Sequence, residues 1–167
     1  NHTFEPVCGM HEPSVCLIAQ GAKRVVVGED TYEYDAQHYL VTSINLPTIV
    51  RIVSASPHSP YLGIKLKLDL KEISHMLLDK DLPSSGVQRP IRGMVTGEVD
   101  LSLLDAVYRL VSLLDNPKDI PMLAPMVQRE IYYRLLTGEH GLHLRQVATS
   151  GSSSQQIAEV ITLIKEN

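Results

Sequence analysis

Seven histidines, two cysteines and nineteen carboxylates are the side chains of this 167-residue sequence best equipped for chemistry, and their spacing decides what they can do. A divalent transition ion wants two imidazoles and a carboxylate converging on one point, commonly supplied by a His-x-His pair with a nearby Glu. No His-x-His occurs, and His11-Glu12 with the distant His38 is the one set that folding could gather. These are read as ordinary solvated or core histidines, and His140 and His143 as exposed residues following a helix end. Cys8 and Cys16 form no Cys-x-x-Cys pair, so neither a disulfide scaffold nor a zinc knuckle is expected. Cys16 lies in an apolar run, where a thiol is normally buried and inert, which leaves Cys8 the better redox or electrophile sensor of the two. Ser84-Ser85-Gly86 and Ser152–Ser154 have the character of linkers, with no nucleophile elbow or phosphate-cradling glycine loop around them. The expectation is therefore no enzyme, no metal and no cofactor.

Binding is the remaining chemistry. Gln20, Tyr39 and Arg51 stand at or beside β-rich runs, where an inward polar side chain is costly unless something pairs with it. They are the expected ligand contacts, with Cys16 and Ile18 as apolar lining.

Those residues need strands to hold them. Ser14–Ala19, Lys23–Val27, Thr31–Tyr34, Tyr39–Ile44, Thr48–Val53 and Tyr61–Leu68 are short β-branched or alternating runs separated by Gly, Asp, Asn and Pro turns, the texture of a sandwich or barrel. Lys65 and Lys67 alternate with Ile64, Leu66 and Leu68, which reads as a strand with one wet face. The period changes at Asp69, which with Glu72 makes a capping box for a short helix ending near Asp79. Residues 80–98, with two Pro and three Gly, read as a connecting loop that leaves the barrel. Beyond it Leu103, Val107, Leu110 and Leu114 form a helical stripe widened by Leu104 and Val111. After Pro121 and Pro125 a second helix carries Val127, Ile131 and Leu135, with Glu130 and Arg134 paired and Gly138 as a left-handed stop. Thr149–Ser154 reads as a hinge, and Ser153 with Gln156 caps a last helix striped by Ile157, Val160, Ile161 and Ile164. The formal charge of −4 argues against a phosphate-gripping surface, and no run is long enough to span a bilayer.

The run Glu12-Pro13-Ser14 through Gln20-Gly21-Ala22-Lys23, followed by Tyr32-Glu33-Tyr34-Asp35, Tyr39-Leu40-Val41 and Leu46-Pro47, resembles the N-terminal domain of AraC-type transcription regulators. Pro125–Gly138 resembles the segment that precedes their DNA-binding module, and Ile157–Asn167 that module's first helix. Gln37 departs from the family pattern, where a Gly is usual. The resemblance implies an α+β chain, mainly β in its first half: a cupin-like β-barrel or jelly roll over 1–79 with a short closing helix, the loop 80–98, an antiparallel helical pair over 99–148, and a hinge with the start of a truncated module over 149–167. It further implies a cytoplasmic sensor of a small-molecule effector. The resemblance also implies a helical pair used for dimer contacts, for which the stripe Leu103, Val107, Leu110 and Leu114 is the expected homodimer interface as well as a face that can pack on the barrel, and contact with DNA only through a C-terminal helix-turn-helix module outside this sequence. A cupin-type metalloenzyme and a filled barrel acting through protein contacts alone are the alternatives.

Overall fold

The computed structural model describes residues 5–79, 82 and 92–149. The expected last helix and most of the hinge before it lie outside the described residues. Among the described residues eight strands and three α-helices follow in order, with a further helical run over 141–149: β1 (Val7–His11), β2 (Ser14–Gln20), β3 (Ala22–Val27), β4 (Asp30–Asp35), β5 (His38–Thr42), β6 (Leu46–Ser54), β7 (Leu62–Lys67), α1 (Leu70–Met76), β8 (Met94–Glu98), α2 (Leu101–Ser112) and α3 (Ile120–Thr137). The six runs expected as strands are β2 to β7. Two compact units result, one comprising Asn1–Leu68 with Arg92–Leu104 and the other Asp69–Ile91 with Asp105–Asn167.

The first unit holds two antiparallel four-stranded sheets, ordered β1-β6-β3-β4 and β7-β2-β5-β8. Between them lies a core of Cys16, Ile18, Val25, Tyr34, Leu40 and Met94, drawn from both sheets. Each strand presents every second residue to that core, so the cross-strand register carries the inward set from strand to strand. In β2 and β5 the other face is buried as well, since Val15, Leu17, Tyr39 and Val41 are all inaccessible. That double burial is why these two strands read as continuous apolar runs. Gly28 alone in the two-residue β3–β4 turn has positive φ, the pattern of a type II′ hairpin, and Gly21 takes φ +91° where the chain passes from one sheet to the other.

Two expectations about this unit are corrected. The loop over 80–98 does not simply leave the barrel, because Met94–Glu98 returns as β8 and pairs with β5. Thr96-Gly97 looks like a turn, but the glycine is there because the Tyr39 ring lies against it: a Cβ at Gly97 would come within 2.5 Å of the ring. Val7–His11 is a strand too, and it pairs at the sheet edge with β6.

In the second unit Asp69 caps α1 as expected, its carboxylate accepting from the Lys71 and Glu72 amides at 3.0 and 3.1 Å. The Asp69 amide donates to the Tyr132 hydroxyl of α3 at 3.2 Å. Two 3-10 turns, Leu113–Asp115 and Pro117–Asp119, link α2 to α3, and Arg109 of α2 reaches Glu130 of α3 at 2.8 Å, which closes the helical hairpin. Glu130 and Arg134 form the expected pair at 3.4 Å. Gly138 does stop α3, but with φ −81° and ψ −171°, an extended rather than left-handed backbone. Pro121 sits in the first turn while Pro125 lies inside the helix. Helical residues 141–149 follow, tied to α1 by a Ser74 hydroxyl donating to the Ala148 carbonyl at 3.0 Å.

Candidate functional site

The register places a polar cluster inside the barrel that no single run of sequence displays. On β2, Cys16 faces the core, and its partner on β7 is Lys65. Ser14 of the same face is opposite Lys67. By register these lysines follow the core face of β2, yet at this sheet edge both are exposed, as the wet-face reading has them, while Ile64 and Leu66, opposite Leu17 and Val15, are half-buried. On β3 the inward residues are those in phase with Val25, which makes Lys23 an interior residue opposite Tyr34 on β4 and Ile52 on β6. The interior face of β6 continues through Val50, Thr48 and Leu46, the last opposite His11 of β1.

This cluster is short of partners. Lys67 is held by Glu12 at 3.3 Å, whereas among the described residues no carboxylate lies within ion-pair distance of Lys23 or Lys65. Burial lowers the pKa of Lys23, with Lys65 adding to the effect and the Cys16 thiol opposing it. Burial raises the pKa of the Cys16 thiol against the pull of the same two lysines, so it is protonated and unreactive at neutral pH. The Tyr34 hydroxyl is buried without a well-formed hydrogen bond, and burial first and Cys16 second raise its pKa. Tyr61, partly buried against the same core, is raised by burial as well.

His11 is 7% exposed. Its Nδ1 lies 3.0 Å from Thr48 Oγ1, and Thr48 spends its one hydroxyl proton on the Gly9 carbonyl at 3.3 Å. The tautomer that satisfies both contacts has Nδ1 as the donor, and we assign it on that ground, which leaves Nε2 as a bare acceptor, buried and without a hydrogen-bond partner. Burial, then Lys65 and Lys23, lower the His11 pKa to about 4, so the ring is neutral at physiological pH.

Of the expected contacts, Cys16 and Ile18 stand in the interior core. Gln20 lies past a bulge at the end of β2 and donates to the Pro60 carbonyl at 2.7 Å. Tyr39 and Arg51 are corrections. Tyr39 shares the outward face of its sheet with Leu17 and Gly97, and Arg51 is opposite Arg24 on the outer face of the other sheet, where Arg24 pairs with Glu33 at 2.7 Å. Both are out of phase with the core by one residue, and one residue reverses the face. The interior residues that sequence reasoning missed are His11, Lys23 and Tyr34. The available signal was the phase of Lys23 with Val25 and Val27 in a β-branched strand.

The expected helical stripe is also corrected. Leu103 and Val107 are buried within the chain, Leu110 is half-buried and only Leu114 is exposed. The outward apolar face of α2 is instead Leu101, Leu104, Tyr108 and Val111. In the helical unit, Met76, Asp79, Met126, Arg129 and Tyr133 line an open groove of about 640 Å³.

The architecture, two antiparallel sheets followed by helices, is a ToxT-like N-terminal-domain fold. An apo ToxT variant from Vibrio cholerae strain SCE256 superposes with a TM-score of 0.54 at 9% identity, over 80% of this chain and 55% of that one. Wild-type ToxT of the same strain, bound to an unsaturated fatty acid, gives 0.52 at 11% identity over 81% and 54%. This chain thus spans about half the length of those it resembles. No curated protein sequence matches it. The model of the AraC-type transcriptional regulator N-terminus matches residues 1–143, and the chain belongs to that family. No helix among the described residues is long and apolar enough to cross a membrane.

Proposed function

We propose that this chain is the effector-sensing part of an AraC-type regulator and that its barrel interior receives a small carboxylate. The observation that carries this reading is Lys23, a half-buried ammonium on the core face with no carboxylate partner among the described residues, directly opposite the unpaired Tyr34 hydroxyl. A carboxylate entering there supplies the missing counter-charge to Lys23 and an acceptor for Tyr34, and hydrogen bonds to charged groups are worth about 1.5–3 kcal/mol each. The fatty acid bound to ToxT, a protein of similar fold, is an acid of the class this chemistry suits. An effector of this kind regulates only by binding one arrangement of the whole protein better than another, a coupling of typically about 1–3 kcal/mol. The DNA-binding module it controls lies beyond the matched domain. Thermal shift and calorimetry with unbranched carboxylates and their amides test the reading. Carboxylates stabilise the chain, amides do not, and Lys23→Met weakens binding by roughly tenfold or more. Undiminished affinity in Lys23→Met, or stabilisation by no carboxylate, overturns it in favour of a filled barrel acting through protein contacts.

The chain is further proposed to dimerise through the outward face of α2, with a second copy as the occupant. Leu101, Leu104, Tyr108 and Val111 recur at helical spacing with no charge among them, which suits isologous contact across a two-fold axis. Light scattering with Tyr108→Lys checks this: a dimer that becomes monomeric supports it, and a wild-type monomer at micromolar concentration refutes it.

A further inference from the structure

We propose that the barrel interior selects an elongated carboxylate that also carries a hydroxyl or N–H donor remote from the acid group, with that donor bonded to His11 Nε2. The inference rests on the carboxylate reading above and adds to it the chemistry of the ligand's other end. Buried polar atoms in folded proteins are nearly always paired, and the exceptions mark a function or a missing partner. Among the described residues the Thr42 hydroxyl, which can donate or accept, is one of three unpaired atoms that face the barrel interior on side chains more than nine-tenths buried; the other two are the Tyr34 hydroxyl and His11 Nε2. Those two ask for opposite partners. Tyr34 offers a proton beside Lys23 and is met by an acid oxygen. With the Thr48 hydroxyl donating to the Gly9 carbonyl, the tautomer assigned to His11 keeps its proton on Nδ1, and in that tautomer Nε2 accepts only. A plain fatty acid has nothing to give it.

The register also sets the separation. Lys23 is opposite Ile52 and His11 opposite Leu46, six residues apart along β6, or about 20 Å of strand. The reach of the two side chains shortens that gap to a ligand on the order of ten carbons. The core side chains between them are apolar, Val25, Val50, Ile18 and Leu46 among them, apart from Thr48, whose hydroxyl is already bonded, so a ligand that parts this core has a hydrocarbon middle. Tyr34 with Lys23 at one end and His11 at the other therefore describe a chain with an acid head and a donor near its tail.

Calorimetry on the whole chain, with unbranched carboxylates of about ten carbons and their ω-hydroxy counterparts, tests this. The hydroxy acid binds the wild type roughly five- to tenfold tighter than the plain acid, the margin of one net hydrogen bond. In His11→Phe the preference disappears while the plain acid still binds, and in His11→Gln, which keeps an acceptor, part of it remains. Binding of the plain acid with a wild-type ratio within about twofold overturns the inference alone, whether or not the variants fold. So does a preference that survives His11→Phe. Binding of neither acid overturns the carboxylate reading, and this inference with it.

Discussion

Removing the imidazole of His11 should flatten the acid limb of the stability curve. In the folded chain the ring titrates at about 4, in the unfolded chain near 6.5. Between those values the unfolded state binds nearly one more proton than the native state, so stability falls with pH by up to about 1.4 kcal/mol per unit. The contribution is fully present above pH 6.5, is lost progressively as pH falls, and levels off below 4. Over the whole window the loss is about 3 kcal/mol, a large share of what a domain of this size can spare. The ring is 7% exposed, so solvent does little to dilute the effect. Urea unfolding of wild type and His11→Gln at intervals from pH 7.5 to 4 measures it. Gln has no proton to take up, so the difference in stability between the two proteins should shift in favour of the variant by about 3 kcal/mol across the window. His143, also lowered by burial and by His140, contributes to both proteins and cancels. Parallel acid limbs would refute the buried, neutral assignment and with it the bare Nε2.

The other expectations are simpler to check. The wild-type preference for a hydroxy acid should stay flat from pH 8 to about 5.5, since a ring titrating near 4 is still almost wholly neutral there. A histidine of ordinary pKa at that position would be about nine-tenths protonated by pH 5.5 and would lose most of the preference. Gly97→Ala drives a methyl into the Tyr39 ring and should cost about 1–3 kcal/mol, read as a lower Tm, and an unchanged Tm refutes the packing. Asp69→Ala removes two amide acceptors from the start of α1 and should cost about 1 kcal/mol in urea unfolding. Iodoacetamide should alkylate one thiol per native chain, the exposed Cys8, and reach Cys16 only in denaturant, so equal native rates at both would contradict the buried thiol.

Periodicity exposes elements, and register decides faces. The strands β2 to β7 were legible because β-branched runs ended at Gly, Asp and Pro turns. β1 was not, because Gly9 interrupts it and four of its five residues are exposed at a sheet edge, where no alternation is enforced. Lys65 and Lys67 show the limit most clearly. Their alternation with Ile64 and Leu66 was plain, and a lysine on the wet face is the ordinary choice for a strand with one free side. Both faces of β2 are buried, so only the pairing of Lys65 with Cys16 shows the phase of β7 against it, while the exposure of both lysines at the sheet edge leaves the wet face where the alternation put it. The same ambiguity misled the reading of α2, which carries apolar residues on two faces; periodicity finds both stripes, and burial alone tells Leu103 and Val107 from Leu104 and Tyr108.

The polar interior escaped for a related reason. A lysine in Lys23–Val27 reads as a strand start, and a histidine beside Glu12 reads as a surface pair. What makes them functional candidates is an absence of partners, and an absence exists only once the neighbours are placed. Of the residues that looked most like contacts, Gln20 donates to the Pro60 carbonyl and Tyr39 packs against Gly97, while Arg51 stands on the outer face opposite Arg24. Polar residues whose needs the fold has already met have nothing left for a ligand. The search for a site in such a barrel is therefore a search for unmet needs, and Lys23, Tyr34 and His11 are where this chain leaves them.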